Sequence, residues 1–186
     1  FDYNILDDKD QGVSYGAITA QHIVFTEGYG VYKNPYFKSL PLEGTKGELI
    51  TIHAPTLKLD AILKSSIFVI PMEEDLYLVG STYEWTDKTN EPTQKAKVEL
   101  QEKLERLIDC DYEIVDQRAG IRPTVVDRRP LVGQHPIHKS MYVLNGLGTR
   151  GVLVAPAMAK ALYDSIEKDT PLPEDIDINR FEAAFS

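Results

Sequence analysis

Along the chain, apolar positions first recur in short runs and later at helical spacing. Residues 13–20 lead into Gln21-His22-Ile23-Val24-Phe25, and Glu27-Gly28-Tyr29-Gly30 follows. This predicts an apolar strand that ends in a glycine-containing turn. Residues 33–47 carry Pro35, Pro41, Gly44 and Gly47 and read as a connector. Short β-rich runs come next, at 48–53, 66–71 and 75–83, and Met72-Glu73-Glu74-Asp75 predicts a hairpin loop between the last two. Leu100, Leu104, Leu107 and Ile108 then repeat at helical spacing behind a start signal at Pro92 and Thr93. On the opposite face Glu99/Lys103 and Glu102/Arg106 place acid before base at i, i+4. That pattern describes a solvated amphipathic helix on a sheet and carries no chemistry.

Beyond it, residues 112–118 predict a strand, 120–133 a turn-rich segment and 141–145 a short apolar strand. Residues 152–168 predict a helix, in which Pro156 fits only the first turn or else makes a kink. Thr170-Pro171-Leu172-Pro173 ends it. The order of elements predicts an α+β architecture with a largely antiparallel sheet.

With 186 residues and 42% hydrophobic composition, the chain can bury a core and makes one domain, or one plus a fragment. The formal net charge of −9 argues against a non-specific binder of nucleic acid or anionic membrane, since both need a basic face. The single cysteine, Cys110, suits a reducing compartment, so the expected location is the cytoplasm. No apolar run has the length of a membrane span. The first residue is Phe1 rather than Met, and the chain reads as cut from something longer.

Gly146-Leu147-Gly148-Thr149-Arg150-Gly151 is the sharpest local motif, a G-x-G-x-x-G between a predicted strand and a predicted helix. A dinucleotide-binding unit also needs a second parallel strand after the helix, and only 18 residues follow Lys168. What survives is a backbone that can approach a planar or anionic ligand, followed by a helix start with unpaired N–H groups. A tight turn without a ligand is the plain alternative. Gly120-Ile121-Arg122-Pro123 holds an arginine on a stiff backbone, suited to a bidentate grip on a carboxylate or phosphate, or to an ordinary surface ion pair. Asp127-Arg128-Arg129-Pro130-Leu131-Val132-Gly133 follows closely. His135 and His138 read as loop histidines, with no metal-ligand pattern around them. Acids flank Cys110 and disfavour its thiolate, so it is no nucleophile.

Taken in order, the 120–123, 127–133 and 144–156 segments resemble the C-terminal half of the FAD-dependent amine and amino-acid oxidoreductases, the group of glycine oxidase, sarcosine oxidase and D-amino-acid oxidase. Ile67-Phe68-Val69-Ile70-Pro71 with Leu78-Val79-Gly80-Ser81-Thr82-Tyr83 resembles that family's substrate-domain hairpin, and Gly47-Glu48 resembles the start of that domain. The resemblance implies an antiparallel substrate-binding domain at 47–120. It also implies parts of a Rossmann-like FAD-binding domain at 1–46 (strand and connector) and 121–186 (flavin-ring loop and helix).

By the same resemblance, Arg122 grips a substrate carboxylate, while Phe68 and Tyr83 line the substrate side. Tyr83 stands where glycine oxidase has an apolar residue. Gly28 and Gly30 belong to a nucleotide-domain turn. Gly146, Leu147, Gly148, Thr149, Arg150, Gly151 and Val152 meet the flavin ring. The implied reaction is oxidation of the C–N bond of a small amine or amino acid with FAD as cofactor. The alternatives are a 2-hydroxy acid, an aminomethyl group on tRNA, or an inert fragment. The family's N-terminal G-x-G-x-x-G is absent, so about one domain of sequence is missing by this comparison, and the chain alone should bind FAD poorly or not at all.

Overall fold

In the computed structural model, which describes residues 1–9 and 12–185, the chain sorts into two units. One comprises Phe1–Glu43 with Arg122–Ser186, the other Gly44–Ile121. In chain order the strands are β1 (Leu6–Lys9), β2 (Gly12–Tyr15), β3 (Ile18–Ala20), β4 (Ile23–Phe25), β5 (Leu42–His53), β6 (Leu63–Lys64), β7 (Phe68–Pro71) and β8 (Leu76–Gly80). Helix α1 (Gln94–Leu104) follows, then β9 (Glu113–Val125), β10 (Leu131–Gln134), β11 (Met141–Asn145) and helix α2 (Gly151–Lys168).

The continuous unit is a five-stranded sheet in the order β6-β7-β8-β5-β9, whose β6–β7, β7–β8 and β8–β5 pairs are antiparallel. Alternation decides its inner face: Ile50 and Ile52 of β5 are fully buried, whereas Thr51 and His53, which alternate with them, are half-buried. Helix α1 covers this face with Leu100 and Leu104, one turn apart, which join Ile50, Ile52, Val69 and Val79 in one apolar core. Thr93 caps the helix by accepting the Ala96 N–H at 3.2 Å, and Lys103 pairs with Glu99 at 2.6 Å.

The discontinuous unit holds an antiparallel meander, β1-β2-β3, and a mixed sheet, β10-β11-β4, in which β11 and β4 run parallel. Phe25, Phe37, Val125, Leu131, Met141 and Ile178 build one core there. Val132, Tyr142, Leu162 and Ile176 form a second, in which Leu162 belongs to α2.

Several expectations need correction. The opening β stretch is broken: Gly16 takes φ +59° and turns β2 back into β3 before β4 begins. The connector read at 33–47 ends early, because β5 starts at Leu42 and runs through Gly44 and Gly47. Most of the turn-rich segment read at 120–133 is strand, since β9 continues through Gly120 and Pro123 and β10 follows. β9 is an edge strand, the position in a sheet where proline is tolerated.

Helix α1 ends at Leu104, so Leu107, Ile108 and Arg106 lie beyond it. The two apolar residues pack against the core from a turn rather than from a helix face. Pro156 sits at the sixth position of α2, past the first turn, so no N–H there reaches back to the Val152 carbonyl. Val152 is 98% exposed, and water can take that place. The 3-10 segment Ile178–Phe185, kinked at Phe181, lies outside the predicted elements although its Ile178, Phe181 and Phe185 face one core.

Candidate functional site

Two glycine turns meet at one edge of the mixed sheet. Strands β4 and β11 are parallel neighbours, with Phe25 opposite Val143, so the chain leaves both at their carboxyl ends on the same side. The first turn contains Gly28 at φ +57°, the second Gly146 at φ +69° and Gly148 at φ +56°. The glycines serve different needs. A Cβ on Gly146 would lie 2.4 Å from Val125 Cγ2, so close packing excludes a side chain. A Cβ on Gly28 or Gly148 would meet nothing within 4 Å, so there only the backbone angle demands glycine and the main chain faces open space.

Asn145 ties the two turns together. It is 3% exposed, its Nδ2 donates to the Gly28 carbonyl at 2.9 Å, and its Oδ1 accepts the Gly146 N–H at 2.8 Å. Helix α2 then begins at Gly151 with no side-chain cap from Arg150, leaving first-turn N–H groups available at the positive end of an 18-residue helix. Leu147 and Gly148 are half-buried, Thr149 and Arg150 exposed, and Leu153 beside Val152 is exposed as well. Gly30 lies in the 3-10 segment Gly28–Lys33.

Glu27 fixes the first turn from below. Its carboxylate accepts the Tyr3 hydroxyl and, at 2.8 Å, the Asn34 side-chain amide. The fully buried Asn34 in turn accepts the N–H groups of Tyr36 and Phe37 at its Oδ1. Burial, then the Glu27 hydrogen bond and charge, push the Tyr3 phenol above its ordinary pKa, so it stays a donor. Pattern reading misses Asn145, Glu27 and Asn34 alike. The bonds that matter for the turns, Tyr3 to Glu27 and Asn145 to Gly28, span 24 and 117 residues.

The residues expected on the substrate side fall in both units. Arg122 is half-buried in β9 and belongs to the discontinuous unit. In the neighbouring arginine motif, Arg129 pairs with Asp175 at 2.9 Å, and Asp127 receives Arg180 Nε at 2.9 Å. Burial raises the Asp127 pKa, but Arg180 and the Arg129 N–H outweigh it and hold this carboxylate below its ordinary range. These are clasps on the C-terminal segment.

Phe68 and Tyr83 belong to the continuous unit. Phe68 opens β7 opposite Gly80, the last residue of β8, where a Cβ would press to 3.2 Å from the Phe68 ring and 2.1 Å from Leu49. Tyr83, three residues on, is 58% exposed beside a cavity of about 120 Å³ that Glu48, Thr82, Glu84, Asp87 and Glu99 help to line. Hydrogen bonds from Thr86 lower the Glu84 carboxyl to about 2, and the Lys46 ammonium with Thr89 lowers Asp87 to about 2. Among the described residues no group of three or more His, Cys, Asp and Glu is arranged to hold a metal ion. No described helix is long and apolar enough to cross a membrane.

A family model described as "FAD dependent oxidoreductase" matches residues 4–165. Glycine oxidase of Bacillus subtilis (strain 168) is 25% identical over 158 residues, covering 81% of this chain and 42% of that protein. A tRNA 5-methylaminomethyl-2-thiouridine biosynthesis bifunctional protein of Nitrosospira multiformis is 29% identical over 167 residues, covering 82% of this chain and 27% of that protein. Among solved structures, L-proline dehydrogenase from P. horikoshii superposes with a TM-score of 0.80 at 18% identity, over 96% of this chain and 53% of that one. Glycine oxidase from Bacillus cereus gives 0.73 at 19%, over 89% and 48%. The chain thus spans less than half the length of the curated relatives it matches, and both structural likenesses speak for the fold. With the family match running over most of its residues, this chain belongs to the FAD dependent oxidoreductase family.

Proposed function

We propose that the protein to which this sequence belongs is a cytoplasmic FAD-dependent oxidoreductase that oxidises the C–N bond of a small amine or amino acid. The observation that carries this reading is the pair of glycine turns at the carboxyl ends of parallel β4 and β11, tied by Asn145 and followed by an uncapped helix. Ligands of open α/β sheets bind at such strand ends. Gly28 and Gly148 suit a flat ligand such as a flavin in that they offer backbone facing open space, where no side chain intervenes.

Residues 1–46 and 121–186 would be the cofactor-binding parts and 47–120 the substrate-binding part. Gly28, Gly30 and residues 146–152 would hold FAD, with its ADP half held by sequence outside these residues, so that the chain alone binds it poorly. When bound, FAD supplies the acceptor for a hydride from the substrate's α-carbon, which leaves an imine that water hydrolyses. The α2 N–H groups and helix dipole favour negative charge at the turn, with no reorganisation during the reaction. Arg122 holds the substrate carboxylate through two parallel N–H bonds. Phe68 and Tyr83 line the substrate side. The net charge of −9 favours a small substrate over tRNA, though relatives act in tRNA biosynthesis.

The test is anaerobic addition of small amino acids, amines and 2-hydroxy acids to the protein from the complete reading frame. Bleaching of the flavin bands by an amino acid is the expected result, while bleaching by a hydroxy acid alone would reassign the substrate. In the same protein Arg122→Ala should raise KM for a carboxylate substrate by about 10–100-fold, the worth of a charged hydrogen-bond pair, with a smaller change in kcat. An unchanged KM removes Arg122 from the site.

A further inference from the structure

Lys46 is fully buried, and no step of the proposed reaction uses it. Its ammonium donates to Asp87 Oδ2 at 2.5 Å, Thr89 Oγ1 at 3.2 Å and the Glu91 carbonyl at 2.6 Å, with Glu48 Oε1 3.8 Å away. Its main chain exchanges both hydrogen bonds with Glu84, each at 2.9 Å. Two residues along β5, the Glu48 N–H donates to Thr82 Oγ1 at 2.9 Å, and the Glu48 carboxylate accepts the Thr93 N–H and hydroxyl at 2.8 Å each.

Between β8 and α1, residues 81–93 form neither helix nor strand beyond the single bridge at Glu84. The shape of this segment therefore rests on side-chain bonds: those of Lys46 and Glu48, the Lys88 ammonium on the Gly44 and Trp85 carbonyls, and the local Glu84–Thr86 and Asp87–Thr89 bonds. A well-packed apolar side chain fills a buried site without the desolvation cost of an ammonium, so bulk stability does not explain a lysine here. The three donors instead select one path for alternate residues 87, 89 and 91. The same segment presents Tyr83 and the half-exposed Trp85.

We propose that Lys46 is a positioning residue, which holds the 82–91 segment on β5 and thereby sets Tyr83 for a small amino-acid substrate. This rests on the oxidoreductase reading and extends it to a residue that touches no substrate.

The test uses the protein from the complete reading frame with Lys46→Met, Asp87→Asn and Tyr83→Phe, singly and with Lys46→Met and Tyr83→Phe combined. Lys46→Met should raise KM about tenfold or more while kcat changes far less. In the Tyr83→Phe background it should add little. Trp85 is the only tryptophan of this chain, so its own quenching by acrylamide, read in the 186-residue chain, should rise in Lys46→Met without any need for flavin. An unchanged KM in folded Lys46→Met, or an effect that multiplies fully with Tyr83→Phe, overturns the proposal. If Lys46→Met does not fold, Asp87→Asn decides by the same readings, and unchanged KM with unchanged quenching overturns it. A colourless complete protein refutes the oxidoreductase reading, and the Trp85 signal then reports on the clasp separately.

Discussion

Asn145 is the residue on which the site geometry turns. Replacing it with alanine leaves the Gly28 carbonyl and the Gly146 N–H without their partner. Losing a buried hydrogen-bonding group costs about 1–3 kcal/mol, so Asn145→Ala should lower the urea midpoint accordingly, and an unchanged midpoint would show that the two turns stand without it. His135 makes a second residue-scale prediction. Its Nδ1 accepts the N–H groups of Ile137 at 3.1 Å and His138 at 3.0 Å, so protonation there must break both bonds. Burial first, then the His138 charge, depress its pKa below 6.5. The unfolded chain thus binds the proton more readily, and the contribution of His135 is present above pH 6.5 and lost as pH falls through and below that value. Urea midpoints should fall more steeply from pH 8 to pH 5 in the native chain than in His135→Gln, and equal slopes would contradict this. At this scale the glycine motif was legible because φ and spacing leave a mark in local sequence. Glu27 and Asn145 were not, because hydrogen bonds across 24 and 117 residues leave none.

Among the elements, α1 shows how a helix start is built from outside its own sequence. Thr93 accepts the Ala96 N–H, while its own N–H and hydroxyl go to Glu48 on β5. Thr93→Ala should cost about 1–2 kcal/mol and Thr93→Ser far less, read as urea midpoints at constant m. Equal losses would assign the effect to the methyl group. The start of α1 and the β7–β8 hairpin were readable, since capping residues and a polar loop are local signals. The strands through Gly44, Gly47, Gly120 and Pro123 were not, because these residues mark turns only where no partner strand overrides them. The end of α1 was overrun for the opposite reason: Leu107 and Ile108 keep the apolar spacing after the chain has left the helix.

At the scale of the whole molecule, chain order and spatial order part company. One unit is assembled from Phe1–Glu43 and Arg122–Ser186, with the other inserted between them. Periodicity and composition predict elements and a fold class, and neither says which distant segments share a core. Resemblance over the C-terminal motifs supplied the family, which the match over residues 4–165 shows. Among the described residues no strand follows α2, so the G-x-G-x-x-G stands without the second parallel strand of a dinucleotide-binding unit. Its surroundings depend on β4, a strand more than a hundred residues earlier that places Gly28 beside it. The direct measurement is the visible absorption spectrum of the protein from the complete reading frame, purified without added cofactor. If these two turns belong to a flavoenzyme, the protein is yellow with two flavin bands that a small amino acid bleaches. A colourless protein that stays colourless after FAD is added would contradict it.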